Sequence, residues 1–272
     1  MLSAAVYILH INKVLILSDP VWTELYLKPQ MKREGGFRRL IKKGYVPVIE
    51  TLPFDFNTKD VVEILENSTA ESVLLSPAVS MLFGEGQQLE TFHRKTFFIF
   101  SRTDQEPEYT PENIFFLRID PEELSRELLT LMGELYSASE SSPTVYLLWN
   151  KASYVSQEAV EAAQTVLERN QLSPKIPIIT SEEKMSEIPI NRSTLCIFLP
   201  GSDSENQKLM EELHRKGGKA IVLADSLSLE AWPDTVIGVM EIDISGILVK
   251  SSESVGLSAE SRSVSIPFSL RF

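Results

Sequence analysis

The chain has 272 residues, enough for one large domain or for two lobes with separate cores. Hydrophobic residues at 43% and charged residues at 24% are ordinary for a folded, soluble protein and exclude a disordered one. Its 38 acidic and 26 basic residues leave a formal charge of -12, which repels phosphate backbones and argues against a nucleic-acid partner.

The first eleven residues are apolar apart from Ser3 and His10. They lack the basic start and small-residue cleavage site of an export signal, and they are too few to span a bilayer. An added edge strand, the stub of an export signal and a free tail all remain open for them. Lys13 to Ser18 then reads as a short buried strand of the parallel type. Asp19-Pro20 opens a helix expected to run to Lys43 with a break near Pro29, and Gly44 stops it. Tyr45 to Leu52 is the next strand, Thr58 to Asn67 a helix and Ser72 to Ser76 a strand. Met81 to Phe92 reads as a weaker helix carrying Gly84 and Gly86, followed by strands at Thr96 to Phe100 and Ile114 to Ile119.

The stretch Ile114 to Arg126 organises the rest. Its apolar run stops at Asp120-Pro121, an N-cap and first-turn proline backed by Glu122 and Glu123, and the strand–helix alternation then begins again. Pro121 to Tyr136 is a helix with Leu124, Leu128, Leu131 and Leu135 on one stripe. Strands follow at Thr144 to Trp149, Lys175 to Thr180, Ser193 to Leu199, Lys219 to Ala224 and Val236 to Ile242. Helices separate them at Ser156 to Asn170, capped by Ser156, and at Asp203 to Arg215, closed by Gly217-Gly218. The remainder, Asp243 to Phe272, is serine-rich and ends in an alternating segment from Ser265 to Leu270. Strands and helices at this spacing make an α/β protein with parallel sheets covered on both faces, one sheet in each half.

The chemistry of catalysis is missing. No GxGxxG follows the first strand, which ends in Ser18-Asp19-Pro20, and there is neither a GxxxxGK[ST] nor a GxSxG elbow. The one cysteine, Cys196, sits in the apolar run Leu195 to Phe198 and reads as a buried hydrophobe. His10, His93 and His214 have no metal-ligand spacing. No catalytic residue, metal or cofactor is expected, and the chain is not read as an enzyme.

Several motifs together resemble one family. They are Asp19-Pro20-Val21-Trp22 after the first strand, Lys42-Lys43-Gly44-Tyr45 into the second, and Val73-Leu74-Leu75-Ser76-Pro77 at the third. Thr96 to Arg102 and Phe115 to Asp120 fit the same scheme's fourth and fifth strands. In the second half, Leu199-Pro200-Gly201-Ser202-Asp203, Ile221-Val222-Leu223-Ala224-Asp225 and the closing Ser265 to Arg271 continue it. The pattern is similar to the type I periplasmic binding proteins, whose fold the ligand-binding domains of LacI-type regulators share.

That resemblance implies two Rossmann-like lobes, each a doubly wound, mostly parallel sheet, joined by three crossings. Residues 1–118 plus 243–258 would form the N-terminal lobe, and 119–242 plus 259–272 the C-terminal lobe. The implied function is closure on a small polar ligand such as a sugar or nucleoside, presented to a membrane permease of the ABC type from a periplasmic or membrane-anchored location. Ligands of open α/β sheets lie beyond the carboxyl ends of the strands. The resemblance therefore points to Asp19, Trp22, Ser76 and Arg102 in the first lobe. In the second it points to Trp149, Asn150, Ser202 and Asp225, with Glu241 near the second crossing.

Asp19 and Trp22 have a plainer reading as an N-cap and a core indole. Family members often carry an arginine and a Gly-Phe pair on the helix where this chain has Glu158, Glu161 and Ala162-Ala163. The family's asparagine-aspartate has become Ser202-Asp203. The stretch after Asp243 is short for the helix expected in the first lobe. Ligand class is therefore open. Two alternatives stand beside transport: a ligand-sensing regulatory module without a DNA-binding domain, and a degenerate relative that binds nothing.

Overall fold

The computed structural model of the chain describes residues 12–32, 38–42, 44–84, 86–101, 111–136, 143–150, 154–172, 175–180, 187–199, 204–223, 232–254 and 262–271. Contacts divide the chain into two units, Met1–Arg118 with Ile244–Ser265 and Ile119–Asp243 with Ile266–Phe272. The backbone thus passes from one to the other three times.

The first unit is built on six strands: β1 (Asn12–Ser18), β2 (Tyr45–Thr51), β3 (Ser72–Leu75), β4 (Thr96–Phe100), β5 (Ile114–Arg118) and β11 (Ser263–Ser265). They lie in the order β11-β5-β4-β3-β1-β2, every pair parallel. Val14–Leu17, Val73–Leu75 and Phe97–Phe100 are buried without alternation, as strands covered on both faces must be. On one face Leu15, Leu17, Val73, Leu75, Phe97 and Ile99 pack under Val61 and Leu65 of helix α3 (Thr58–Asn67) and under Val79 of the short helix α4 (Pro77–Ser80).

Helix α1 starts at Pro20–Trp22, widens into a π-helical stretch at Thr23–Leu27 and tightens again at Lys28–Lys32. The Lys28 N–H reaches back five residues to Thr23 O. The widening stands one residue ahead of Pro29, which has no N–H and would clash with a carbonyl in a regular turn. The helix therefore widens before Pro29 and continues through it, where the sequence suggested a break. Helix α2 (Arg38–Lys42) ends at Gly44, which takes φ +86° and donates its N–H to Ile41 O.

Three expectations need correction. The helix predicted over Met81 to Phe92 does not form: α4 gives way to turns and a 3-10 turn at Gln87–Leu89, because Gly84 and Gly86 adopt left-handed φ of +51° and +80°. The serine-rich stretch after Asp243 does supply a helix, α8 (Ile244–Ser254), with Ile244, Ile247, Leu248 and Val249 buried. The closing segment is not one strand. Ser263–Ser265 pairs with β5 in the first sheet, whereas β12 (Phe268–Arg271) pairs with the second. The third crossing falls after Ser265, later than the boundary at 258 that the sequence suggested.

The second unit repeats the plan with β6 (Thr144–Trp149), β7 (Ile178–Thr180), β8 (Thr194–Phe198), β9 (Lys219–Leu223), β10 (Val236–Ile242) and β12, ordered β12-β10-β9-β8-β6-β7. All pairs are parallel except β10–β12. Helix α5 (Pro121–Tyr136) opens it, its first turn capped by Asp120, whose Oδ1 accepts the N–H groups of Glu122 and Glu123 at 2.8 and 2.9 Å. Helix α6 (Gln157–Arg169) is capped by Ser156, whose Oγ accepts the Ala159 N–H at 3.1 Å. Leu209, Met210 and Leu213 of helix α7 (Ser204–Lys216) close one face of the sheet over Tyr146, Cys196, Phe198 and Val222. The α/β architecture of two doubly wound, mostly parallel sheets is the one the sequence led us to expect.

Candidate functional site

In each unit the strand order reverses beside the first strand. β1 has β2 on one side and β3 on the other; β6 likewise stands between β7 and β8. At such a switch point the connecting loops diverge to opposite faces and leave a crevice at the carboxyl ends of the strands.

In the first unit that crevice is lined with hydroxyls tied to one carboxylate. Asp19 follows β1 and Ser76 follows β3, 57 residues apart, and the sheet order brings them together. The Ser76 hydroxyl donates to Asp19 Oδ2 at 2.8 Å, and the Asp19 N–H approaches Ser76 Oγ at 3.4 Å. Asp19 Oδ1 meanwhile accepts the Trp22 N–H at 2.9 Å, the N-cap bond that starts α1.

Thr23 and Thr51 extend the network. Thr23 Oγ1 donates to Asp19 O at 3.0 Å and lies 3.1 Å from Thr51 Oγ1 at the end of β2. A hydroxyl has one proton, and that of Thr23 is spent on Asp19, so Thr51 is the donor between the two threonines. One chain of hydrogen bonds therefore ties the ends of β2, β1 and β3. A half-buried carboxylate bonded in this way holds a hydroxyl in place.

Trp22 is 3% exposed. Its ring stacks on Tyr26 (centroids 6.1 Å apart, 27° between planes) and meets Phe100 at 80° and 6.0 Å. The indole is a core side chain in its ring contacts, as its plainer reading had it. Its Nε1–H is buried and has no hydrogen-bond partner among the described residues. An unmade bond of this kind costs about 1–3 kcal/mol. Val21, Phe54 and Met81, in the segments that follow β1, β2 and β3, are exposed, with Phe54 the most open at 81%.

In the second unit Trp149 ends β6 and is buried, but its Nε1–H is already used, donating to Val155 O at 3.0 Å across the loop that leads into α6. Asn150 is half-buried and bonded. Glu241 lies near the end of β10, opposite Ser269 of β12, buried and bonded. Arg102, Ser202 and Asp225 lie outside the described residues.

The structure therefore joins Asp19, Trp22 and Ser76 in one place and puts Trp149 and Asn150 at the matching place of the second unit. Sequence reading missed Thr23 and Thr51. A signal for Thr51 was present in the threonine closing the run Tyr45 to Ile49, but its partner is 28 residues away and shows only once the strands are ordered. Among the described residues no group of acidic, histidine or cysteine side chains is arranged to hold a metal ion, and no helix is long and apolar enough to cross a membrane.

No protein-family model matches the chain, and no curated protein matches it. Solved structures do. A LacI transcriptional regulator from a Rhodococcus species aligns with a TM-score of 0.59 at 12% identity, over 94% of this chain and 96% of that one. An ABC transporter solute-binding protein from Burkholderia multivorans gives 0.53 at 10% identity, over 96% and 99%. The periplasmic component of an ABC-type sugar transport system from Hahella chejuensis gives 0.51 at 13% identity, over 95% and 99%. At these identities the likeness is one of fold. The chain has the fold of the type I periplasmic binding proteins and LacI-type regulators.

Proposed function

We propose that this protein binds a small polar solute at the carboxyl ends of its strands and hands it to a membrane permease of the ABC type, working outside the cytoplasm. The reading is a binding protein and not an enzyme. The observation that carries it is the buried Trp22 Nε1–H, without an acceptor among the described residues, on the residue whose backbone N–H is held by the Asp19 carboxylate of the hydroxyl-lined switch point. A ligand oxygen arriving there makes the missing bond and recovers its cost. The Asp19 carboxylate uses two of its roughly four acceptor positions internally and keeps capacity for a ligand hydroxyl.

In this reading Asp19, Trp22 and Ser76 are the first unit's contacts, joined by Arg102. Trp149, Asn150, Ser202, Asp225 and Glu241 serve in the second unit. The two units close by bending at the three crossings. Backbone ties next to those crossings suit a hinge: Arg118 pairs with Ser265 in the first unit, and the Asp243 N–H donates to Pro267 O at 2.9 Å in the second.

A thermal-shift screen of sugars, nucleosides and amino acids tests the proposal, with at least one compound expected to raise the melting temperature. Trp22→Phe keeps an aromatic ring and removes the N–H. It is expected to weaken that ligand about tenfold while far-UV circular dichroism stays unchanged. A panel with no stabilising compound favours the degenerate alternative.

A regulatory module is the second reading, favoured by the LacI-type neighbour at a TM-score of 0.59. It keeps the same ligand contacts and passes closure to a partner protein. Co-purification with a permease, or with a soluble partner in its place, separates the two.

A further inference from the structure

A groove of about 570 Å³ runs along the first unit's sheet between edge strand β2 and helix α3, apart from the cluster at the strand ends. Its floor is apolar, from Leu15, Val48 and Ile64. Its walls are charged. Lys13 stands at the amino end of β1, Glu50 and Asp60 lie toward the other end, where β2 finishes and α3 begins, and Glu63 lies midway along α3. The Lys13, Glu50 and Glu63 side chains form no hydrogen bond or ion pair within the described residues. Asp60 gives one oxygen to the Asn57 N–H in its capping box. The groove is therefore a dipolar trough, cationic at one end and anionic at the other, with most of its charges unspent.

We infer that this groove binds short peptides with free ends, carboxylate at Lys13 and N-terminal ammonium at Glu50 and Asp60. Length supports this. Glu50 lies opposite Leu17, four residues on from Lys13, so the backbone positions that carry the two charges stand roughly 13 Å apart along the strands at about 3.3 Å per residue. A free amino acid carries both charges on one carbon and cannot reach. An extended chain of about four residues can, at roughly 3.3–3.6 Å each. Charge supports it too. Three carboxylates face one ammonium, which leaves room for a basic side chain beside the peptide's own N-terminus, while a second copy of this acidic chain is repelled.

The peptide lies on the face of the sheet and does not add to its edge. Bonds from the Asn12 N–H to Gly44 O and from the Leu52 N–H to Ser18 O set the ladder so that odd-numbered residues of β2 turn their backbone outward. Pro47 is one of them and has no N–H to offer a new strand.

The test is isothermal titration calorimetry of the whole chain with the tetrapeptide KALA at low salt, against the same peptide acetylated and amidated. Free KALA is expected to bind at least about tenfold more tightly than the blocked form, and to weaken as ionic strength rises. Glu50→Gln with Glu63→Gln, and separately Lys13→Met, each cost about tenfold, with circular dichroism unchanged because all three residues are exposed. No heat from KALA, or heat unaffected by these substitutions, overturns the inference. So does binding lost in Ser76→Ala and kept in the groove variants, which places the peptide at the strand ends, or a dimer that the groove variants dissociate. The inference does not depend on the solute-binding proposal, since the two sets of variants are separate.

Discussion

Asp19 performs two local tasks at once, capping α1 through Oδ1 and tying β1 to β3 through Oδ2. Replacing it with alanine removes both bonds and is expected to cost about 1–3 kcal/mol in urea unfolding, whereas Ser76→Ala keeps the cap, loses the 2.8 Å tie and the longer 3.4 Å approach of the Asp19 N–H, and costs about 1 kcal/mol. The cap was legible in the sequence because Asp-Pro ahead of a helix is a local signal. The tie was not, because its ends are 57 residues apart and meet only through the strand order. Trp22 divides in the same way. An aromatic after the first strand stood out in the sequence, but its burial follows from Tyr26 and Phe100, the latter from a distant strand.

Cys196 tests the core of the second unit. Burial pushes its thiol from 9.0 to about 12, so almost none is thiolate at neutral pH. Iodoacetamide is expected to label it only after denaturation. Rapid labelling of the native protein would mean that β8 is not covered as described.

At the scale of elements, two glycines in left-handed conformation carry different loads. Gly44 takes φ +86° with open space around it, and Gly44→Ala is expected to cost about 1 kcal/mol. Gly86 takes φ +80°, and a Cβ there would stand 2.4 Å from Ile114 Cδ1. Strain and overlap add, so Gly86→Ala is expected to cost roughly 2–4 kcal/mol, measured side by side with Gly44→Ala in denaturant titrations. This packing also explains why Met81 to Phe92 misled sequence reading. Its apolar residues have helical spacing, but the backbone must turn at Gly86 to pass close to β5. Strand assignments were more legible, because a buried parallel strand needs an apolar run and the sequence supplies one for each. The closing segment was the exception. Its alternation runs on through Ile266-Pro267, where the chain leaves one sheet for the other.

For the whole molecule, two sheets of identical strand order follow from one alternating pattern written twice, and that much the residues declare. What the pattern could not declare is how far the side chains at the strand ends satisfy one another. The fold also sets a pH limit. Burial raises Tyr136 from 10.0 to about 12, raises Tyr154 further and raises Cys196 as above. Each group stays neutral in the folded chain and ionises in the unfolded one. Their contribution is therefore complete below about pH 9 and lost as pH climbs toward 12. Urea midpoints should fall across that window, and Cys196→Ala should flatten the fall.

The most direct measurement of the binding claim is the indole N–H signal of Trp22 in a proton–nitrogen NMR spectrum, followed as a stabilising ligand from the screen is added. Trp232, which has no ligand contact in this reading and whose ring meets that of His214 in the second unit, serves as the internal reference. The Trp22 signal is expected to move downfield and become protected from exchange while that of Trp232 holds still. A ligand that saturates the protein and leaves the Trp22 signal in place would contradict it.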